Sequence, residues 1–278
     1  MVLAQLARLY DGVAPSYHRL WLPVIEPTSV RLLDFIEPAV AARPDALIVD
    51  VGAGTGALGR AAVARWPRVR VVCVDPSEGM LALGREVGAA SLDPSAVDRM
   101  TWMNGAGERL PNPSGSADAI VSSFSWQYVR ARAPAYREAR RVLRPGGILA
   151  VVTWLANDDR FLPWHELSEV LTELAIERPP SPRVAGAFAS VASAAAGARR
   201  AGFRNVQARE AFVEYDWGPE ALIRCTLEEE EYETLEHVDA RTRQQVERRW
   251  RVRLARLEEP DLRYRGAVAY LTGRAPGD

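Results

Sequence analysis

A glycine-rich loop between an apolar run and an Ala- and Arg-rich segment constrains the fold of this chain more than any other feature. The loop occupies residues 52–59 (GAGTGALG) and follows the apolar run at residues 46–51 (ALIVDV). Glycines let a backbone turn tightly and approach a ligand closely, and a helix that starts there directs free N–H groups at that ligand. The sequence therefore predicts a strand, a tight turn and a helix, with a ligand site beyond the carboxyl end of the strand.

The same alternation of short apolar runs and helix-period segments continues to about residue 154. Further strands are predicted at residues 69–74, 100–103, 118–124 and 148–154, and helices at residues 58–66, 77–87 and 134–143. Residues 206–215 and 263–272 predict two more strands. Because strands that alternate with helices imply parallel crossovers, we expect an α/β, doubly wound sheet.

Helical patterns flank this sheet in the sequence. We expect residues 1–42 to form an N-terminal helical cap, and residues 155–200 and 219–258 to form helical lid or insertion segments. No long linker and no internal repeat interrupts the chain. Residues 1–278 are therefore predicted to be a single domain.

The composition narrows the function classes. Thirty-five basic residues face 36 acidic ones, which gives a net charge of −1, whereas proteins that bind nucleic acid usually carry a basic excess. The two cysteines and three histidines show no metal-ligand spacing. We expect no signal peptide. The longest apolar run, at residues 148–154, is too short to span a bilayer. We therefore expect a cytoplasmic protein with a small-molecule partner, no nucleic acid, no membrane span and no metal.

Two ligand classes fit the glycine loop. Residues 54–59 (GTGALG) satisfy the dinucleotide pattern, so a nicotinamide cofactor is one alternative. Asp50 favours S-adenosylmethionine, because a carboxylate beside the loop could reach an ammonium group and would repel a diphosphate. Asp75, at the end of the second predicted strand, could accept two hydrogen bonds from a ribose diol, which suits either cofactor. Met80 opens the next helix, where an apolar side chain could pack on adenine.

Five motifs follow one another in the order and spacing of a known family. They are residues 50–56 (DVGAGTG), 74–81 (VDPSEGML), 107–111 (GERLP), 118–124 (DAIVSSF) and 144–147 (RPGG). With them, the chain resembles class I S-adenosylmethionine-dependent methyltransferases, in the small-molecule subgroup similar to ubiquinone/menaquinone-type enzymes. The resemblance implies a Rossmann-like, mostly parallel seven-stranded sheet with an antiparallel last strand. It also implies methyl transfer from S-adenosyl-L-methionine to a small-molecule acceptor by in-line displacement.

The resemblance also assigns a set of cofactor-binding residues. Asp75 would bind the ribose hydroxyls, and Met80 would cover the adenine. The family usually has an acid at the position of Ala106, so contact with the adenine amine would have to come from a carbonyl or water, or be absent. The full predicted set is Tyr17, Asp50, Gly52, Ala53, Gly54, Asp75, Pro76, Met80, Ala106, Gly107, Glu108, Ser123 and Phe124.

Candidates for catalysis and for acceptor binding lie outside that set. His18 is the candidate catalytic base, needed only if the acceptor must lose a proton; the alternative is a surface or capping histidine. Trp126, Tyr128 and Trp164 are candidate acceptor-binding residues, because they follow the fourth strand or lie in the segment after the fifth. For Trp126, core packing is the alternative.

Two other functions stay open from the sequence. The chain could be a relative that binds S-adenosylmethionine without methyl transfer or catalyses another reaction, since binding motifs survive loss of transfer. It could also be an NAD(P)-dependent oxidoreductase, although Asp50 and the complete absence of lysine from the chain speak against that class.

Overall fold

The strands of the structure match the apolar runs of the sequence closely. A computed structural model describes residues 2–41, 43, 45–129, 131–156, 161–180 and 186–277. These residues form the strands β1 Leu47–Val51, β2 Arg70–Asp75, β3 Met100–Asn104, β4 Ala117–Ser123, β5 Leu143–Trp154, β6 Arg204–Asp216 and β7 Arg263–Arg274.

The strands form one sheet in the order β3-β2-β1-β4-β5-β7-β6. Strands β1 to β5 pair in parallel, and β7 pairs antiparallel with both β5 and β6. The prediction of a mostly parallel, seven-stranded sheet with an antiparallel last strand is confirmed. The direction in which successive strands are added to the sheet reverses at β1, which lies between β2 and β4. Open α/β sheets bind ligands at such a point, beyond the carboxyl ends of the strands.

Helices cover both faces of the sheet. Their bounds are α1 Val2–Ser16, α2 Leu22–Val30, α3 Leu32–Val40, α4 Ala57–Arg65, α5 Glu78–Ser91, α6 Pro94–Val97, α7 Arg132–Val142, α8 Leu162–Glu173, α9 Val191–Arg200, α10 Pro219–Cys225, α11 Tyr232–Leu235 and α12 Ala240–Leu254. The central strands are apolar on both sides, as expected of parallel strands between two helical layers. No helix of the described residues has the length and apolar character needed to cross a bilayer.

Two apolar cores lie on opposite faces of the sheet. One contains side chains of α2, α3, α4, α8 and α12, and the other contains side chains of α7 and α9. Helix α9 belongs to the second layer, since Ala194 and Ala198 are buried there with Tyr136. In the first core the Trp250 indole N–H donates to the carbonyl of Pro163 (2.9 Å), which fixes α12 on α8.

Strand β5 begins earlier than the sequence predicts. The turn at residues 144–147 was expected to separate helix and strand, yet the strand starts at Leu143, directly after α7. The physical reason lies in the end of β7. The Gly146 N–H donates to the carbonyl of Ala275, and the Ala275 N–H donates to that of Gly147. This pairing extends the β5–β7 ladder through the turn.

Candidate functional site

The glycine loop bends sharply at Gly52. This residue has φ +70°, a left-handed conformation that side chains disfavour. A Cβ atom there would lie 2.3 Å from the Cβ of Ser125. The N–H groups of Gly52 and Ala53 donate to the carbonyl of Val74 (2.8 and 3.1 Å), which ties the loop to the end of β2. The loop therefore leaves open space beyond the strands.

A cavity of about 730 Å³, including its open mouth, occupies that space; we call it the main cavity. It lies beyond the carboxyl ends of β1 to β4 and brings most of the predicted cofactor set together. The predicted residues on its wall are Tyr17, Gly52, Gly54, Asp75, Pro76, Met80, Ala106, Gly107, Glu108, Ser123 and Phe124. Tyr128, a predicted acceptor-binding residue, also lines it.

Asp75 lies on the wall of the main cavity and fixes the backbone around it. One carboxylate oxygen accepts a hydrogen bond from the Gly54 N–H (2.8 Å), and the other accepts one from the Ser77 N–H (2.9 Å). Burial of the carboxyl group raises the pKa of Asp75 to about 6. The side chain is thus held at the edge of the cavity, where a hydroxyl or cationic partner would stabilise its ionised form.

Asp50 lies behind the loop, on a second, smaller cavity that also includes Tyr17, Ala53 and Ser123; we call it the small cavity. Its side chain is only 1 % exposed, and neither carboxylate oxygen forms a full hydrogen bond with any described residue. Burial, followed by the nearby Asp75, raises the pKa of Asp50 to about 7, and the Gly59 N–H offsets only part of that rise. Because an unpartnered buried carboxylate costs free energy, the small cavity favours a cationic ligand group.

His18 faces the glycine loop. It lies in a single π-helical turn, Tyr17–Trp21, and its Nδ1 is 2.9 Å from Oγ1 of Thr55, which lines the small cavity. Burial and then the neighbouring Arg60 lower the pKa of His18, so the neutral imidazole is favoured. His18 is not on the wall of the main cavity, where a base would meet an acceptor. It does not line the small cavity either and is connected to that cavity only through its contact with Thr55.

Three tyrosines close the main cavity. The rings of Tyr10 and Tyr17 meet edge to face with centroids 6.0 Å apart, and Tyr10 and Tyr128 lie at 6.1 Å with their hydroxyls 3.2 Å apart. Tyr17 belongs to the predicted cofactor-binding set, and Tyr10 and Tyr128 lie beside it on the same wall. Aromatic faces suit a cationic ligand, since they attract positive charge.

Phe124 follows β4 in a strained conformation. Its φ is +51°, a value that non-glycine residues rarely adopt and that concentrates at functional sites. Its ring lies 4.7 Å from that of Trp154 and forms part of the wall of the main cavity. The strain therefore points an apolar ring at the place where the two cavities meet, beside Ser123.

At the other end of the main cavity, residues 105–108 present backbone and one carboxylate. The carbonyl of Ala106 already accepts a hydrogen bond from the Arg109 N–H (3.0 Å). That carbonyl oxygen keeps a second lone pair, which is the acceptor that residue 106 itself can offer to an adenine amine in place of an acidic side chain. Glu108 is the acidic side chain nearest in sequence on this wall.

Two predicted acceptor-binding residues lie elsewhere, and the sequence-based expectation for them needs correction. Trp126 is 1 % exposed and packs against Tyr136 in the second core, with ring centroids 5.2 Å apart. Trp164 packs against Phe161 and Tyr264 at 5.2 and 5.4 Å. A 3₁₀ turn after β4 rotates successive side chains to different sides, so Tyr128 faces the main cavity while Trp126 faces the core.

Several residues at the site were missed by the sequence analysis. Leu6 and Val129 line the main cavity, and Ser125 lies against Gly52. Leu6 shares a helical face with Tyr10, and that pattern could have indicated a helix lying over the site. Asp11 on the same helix contacts α5, and no local pattern marks it.

Comparisons with known proteins agree with the fold and the motifs. Residues 48–147 match a family model described as a methyltransferase domain. A ubiquinone/menaquinone biosynthesis C-methyltransferase of Paracoccus denitrificans is 31% identical over 167 residues, which are 59% of this chain and 61% of that protein. One from a Caulobacter species is 34% identical over 143 residues, 49% of this chain and 51% of that protein. The chain thus spans roughly half to three-fifths of these curated relatives.

Solved structures share the fold across nearly the whole chain. The YcgJ protein of Bacillus subtilis aligns with a TM-score of 0.58 at 19% identity, covering 89% of this chain and 98% of that one. The cyclase SpnF aligns with a TM-score of 0.59 at 19% identity, covering 99% and 97%. At this identity the likeness establishes a common architecture.

Proposed function

We propose that the protein is a class I methyltransferase that transfers a methyl group from S-adenosylmethionine to a small-molecule acceptor; residues 48–147 match the family model of a methyltransferase domain, and the curated relatives are methyltransferases. The observation that carries the proposal is the pair of buried carboxylates, Asp50 and Asp75, on adjacent strands beside the glycine loop. Two anions there suit a ligand that is cationic at its sulfur and its amino group. Asp50 would repel the diphosphate of a nicotinamide cofactor, whereas a ribose-binding carboxylate such as Asp75 suits either cofactor.

The residues of the two cavities fit the parts of this cofactor. In the main cavity, Asp75 would accept hydrogen bonds from the ribose hydroxyls. Met80 and Pro76 would pack on the adenine, whose edge would meet residues 105–108. In the small cavity, the unpartnered carboxylate of Asp50 would bind the ammonium of the methionine portion.

The catalytic contribution of the chain is positioning. S-adenosylmethionine supplies a methyl group that is already activated on a sulfonium, so the protein must align an acceptor with the S–CH₃ bond and exclude water. Phe124 and Tyr128 would border the reacting atoms on one side, and Tyr10 and Tyr17 would cover them. A small-molecule acceptor, rather than nucleic acid, agrees with the net charge of −1. The expectation of a cytoplasmic location stays a prediction.

Two measurements test this function. Calorimetry should show binding of S-adenosylmethionine and of its demethylated product, S-adenosylhomocysteine, and no binding of NADH. Incubation with methyl-labelled S-adenosylmethionine and a panel of flat or apolar small molecules should transfer label to at least one of them. Binding of NADH in place of S-adenosylmethionine would overturn the proposal.

The affinity for the cofactor is expected to rise with pH. The pKa values of about 7 for Asp50 and about 6 for Asp75 are raised in the free protein. A cationic ligand favours both ionised forms and lowers both values, so the complex carries fewer protons than the free protein. Affinity should increase by at least about tenfold between about pH 5 and pH 7, since each unit of pKa is worth about 1.4 kcal/mol, and the increase should end near about pH 8, where the amino group of the ligand loses its proton.

Calorimetry in two buffers of different ionisation enthalpy would measure the protons released on binding. Asp50→Asn removes one of the two titrating groups, so its affinity should depend less steeply on pH. An affinity that does not change with pH in the unmodified protein would contradict the assigned roles of both carboxylates.

We propose that His18 donates a hydrogen bond to the carboxylate of the cofactor's methionine portion. This role replaces that of the general base considered from the sequence. With the Thr55 hydroxyl donating to Nδ1, the Nε2 of the neutral imidazole would carry the N–H that donates to this carboxylate. We expect His18→Ala to weaken S-adenosylhomocysteine binding about tenfold, the loss of one hydrogen bond to a charged group. Binding of methylthioadenosine, which lacks the amino-acid portion, should be unchanged.

The control is His237→Ala, which removes an exposed histidine between α11 and α12. It should leave the affinity for both ligands unchanged. If His18→Ala instead lowers kcat with an unchanged affinity for S-adenosylhomocysteine, the general-base role is correct.

A further inference from the structure

Asp11 joins the N-terminal helix to the start of α5. One carboxylate oxygen of Asp11 accepts hydrogen bonds from the Ser77 hydroxyl (2.6 Å) and the Gly79 N–H (2.8 Å). The first N–H groups of a helix have no partner within it, and they favour an anion. Asp11, although distant in sequence, therefore accepts a hydrogen bond from one of the N–H groups that have no partner within α5.

The contact is close and needs a small residue on α5. A Cβ atom at Gly79 would lie 2.9 Å from the Cα of Asp11, so a larger residue there would push the two helices apart. Ser77 links Asp11 to the site: its hydroxyl donates to Asp11, while its N–H donates to Asp75. The carboxylate proposed to bind the ribose and the carboxylate on α1 thus share one residue.

The helix that Asp11 fastens lies over the main cavity. Leu6 and Tyr10 of α1 line that cavity, and the Tyr10 hydroxyl meets the Tyr128 hydroxyl. Beyond Asp11, α1 ends at Ser16 and continues into the π-helical turn Tyr17–Trp21, which is less regular than an α-helix. A ligand as large as a nucleoside derivative can leave this end of the cavity when α1 moves away from α5.

The side chain of Asp11 is exposed to solvent. Hydrogen bonds to an exposed carboxylate form and break readily, because water competes for the same groups. The contact is therefore strong enough to favour the closed position of α1 and weak enough to open repeatedly.

We propose that Asp11 is a latch for cofactor exchange: its bonds to Ser77 and Gly79 keep α1 closed, and their opening sets the rate at which the cofactor and its product leave. This rests on the proposed function, since it assigns the exit route of the same site. Asp11 touches neither cofactor nor acceptor, so it is a positioning residue.

The test is the dissociation rate of S-adenosylhomocysteine, measured by stopped-flow fluorescence on the full chain. Asp11→Ala should raise the dissociation rate constant about tenfold, equivalent to about 1.4 kcal/mol. Asp11→Asn should raise it less, because the amide oxygen can still accept from Ser77 and Gly79. Hydrogen exchange of residues 3–12 in the complex should be faster in Asp11→Ala than in the unmodified protein.

Asp239→Ala is the matched control. Asp239 accepts hydrogen bonds from the N–H groups of Arg241 and Thr242 at the start of α12 and lines neither cavity. Its loss should lower Tm by an amount similar to that for Asp11→Ala and leave the dissociation rate unchanged. Equal dissociation rates in Asp11→Ala and the unmodified protein would overturn the latch while leaving the proposed function intact. Failure of the unmodified protein to bind S-adenosylhomocysteine would overturn both.

Discussion

Gly52→Ala is expected to abolish cofactor binding and to destabilise the fold. At φ +70° an alanine costs about 1–2 kcal/mol relative to glycine. Its Cβ would also lie 2.3 Å from the Cβ and Oγ of Ser125, and that hydroxyl is bonded to the Val51 carbonyl (2.9 Å) and cannot turn away freely. Such overpacking costs about 1–3 kcal/mol more. The loop must move into the space between the two cavities.

Urea unfolding and calorimetry would measure the two effects of this substitution. We expect the free energy of unfolding to fall by about 2–5 kcal/mol. Affinity for S-adenosylmethionine should fall at least about 100-fold, because a displaced loop blocks the ligand. An affinity equal to that of the unmodified protein would show that the ligand does not approach the loop at Gly52.

Gly115→Ala separates backbone strain from the clash. Gly115 has φ +63°, and a Cβ atom there would meet nothing within 4 Å. This variant should lose only about 1–2 kcal/mol of stability and bind the cofactor normally. If it lost affinity as Gly52→Ala does, general destabilisation would explain both results.

The second large effect is expected for Asp75→Ala. The substitution removes the carboxylate proposed to bind the ribose, a charged hydrogen-bond pair worth about 1.5–3 kcal/mol. It also leaves the N–H groups of Gly54 and Ser77 without their acceptor, which loosens the glycine loop. Calorimetry should show affinity for S-adenosylmethionine reduced by about 10- to 150-fold or more. An unchanged affinity would refute the role of Asp75.

Asp118→Ala is the matched control. Asp118 lies at the amino end of β4, whereas Asp75 lies at the carboxyl end of β2. Asp118 is also buried, accepts a hydrogen bond from the Leu47 N–H (2.8 Å) and pairs with Arg144 (2.9 Å). Asp118→Ala removes the buried member of a pair whose Arg144 partner is partly exposed, and it leaves the Leu47 N–H without its acceptor, which together cost about 1–3 kcal/mol. This variant should therefore be strongly destabilised yet bind the cofactor with normal affinity, which separates loss of the site from loss of the fold.

The sheet could be predicted because its strands carry their own signal. Residues 46–51 and 118–124 are short apolar runs bounded by loop residues, and the structure has β1 and β4 there within a residue or two. Ser77 is the first residue of the helix predicted at residues 77–87, and its hydroxyl accepts a hydrogen bond from the Met80 N–H, as an N-cap side chain does. Local rules of spacing and capping suffice for such features.

Side-chain direction after a strand end could not be predicted in the same way. Trp126 and Tyr128 are two residues apart, and only the 3₁₀ turn decides which of them faces the main cavity. The contacts of Asp11 and His18 depend on how the N-terminal helices dock on α5 and on the glycine loop. Such contacts join residues far apart in sequence, and a single sequence holds no periodic signal for them.

The cover of the site is assembled from two distant parts of the chain. Ser16 donates to the carbonyl of Glu228, and Arg19 forms an ion pair with the Glu228 carboxylate. On the ribosome, α1 emerges more than 200 residues before Glu228, whereas α5, to which Asp11 bonds, follows α1 much sooner. The nascent protein can therefore complete its β1–β5 sheet and dock α1 on α5 early, but the cover gains its bonds to Glu228 only after translation has passed that residue.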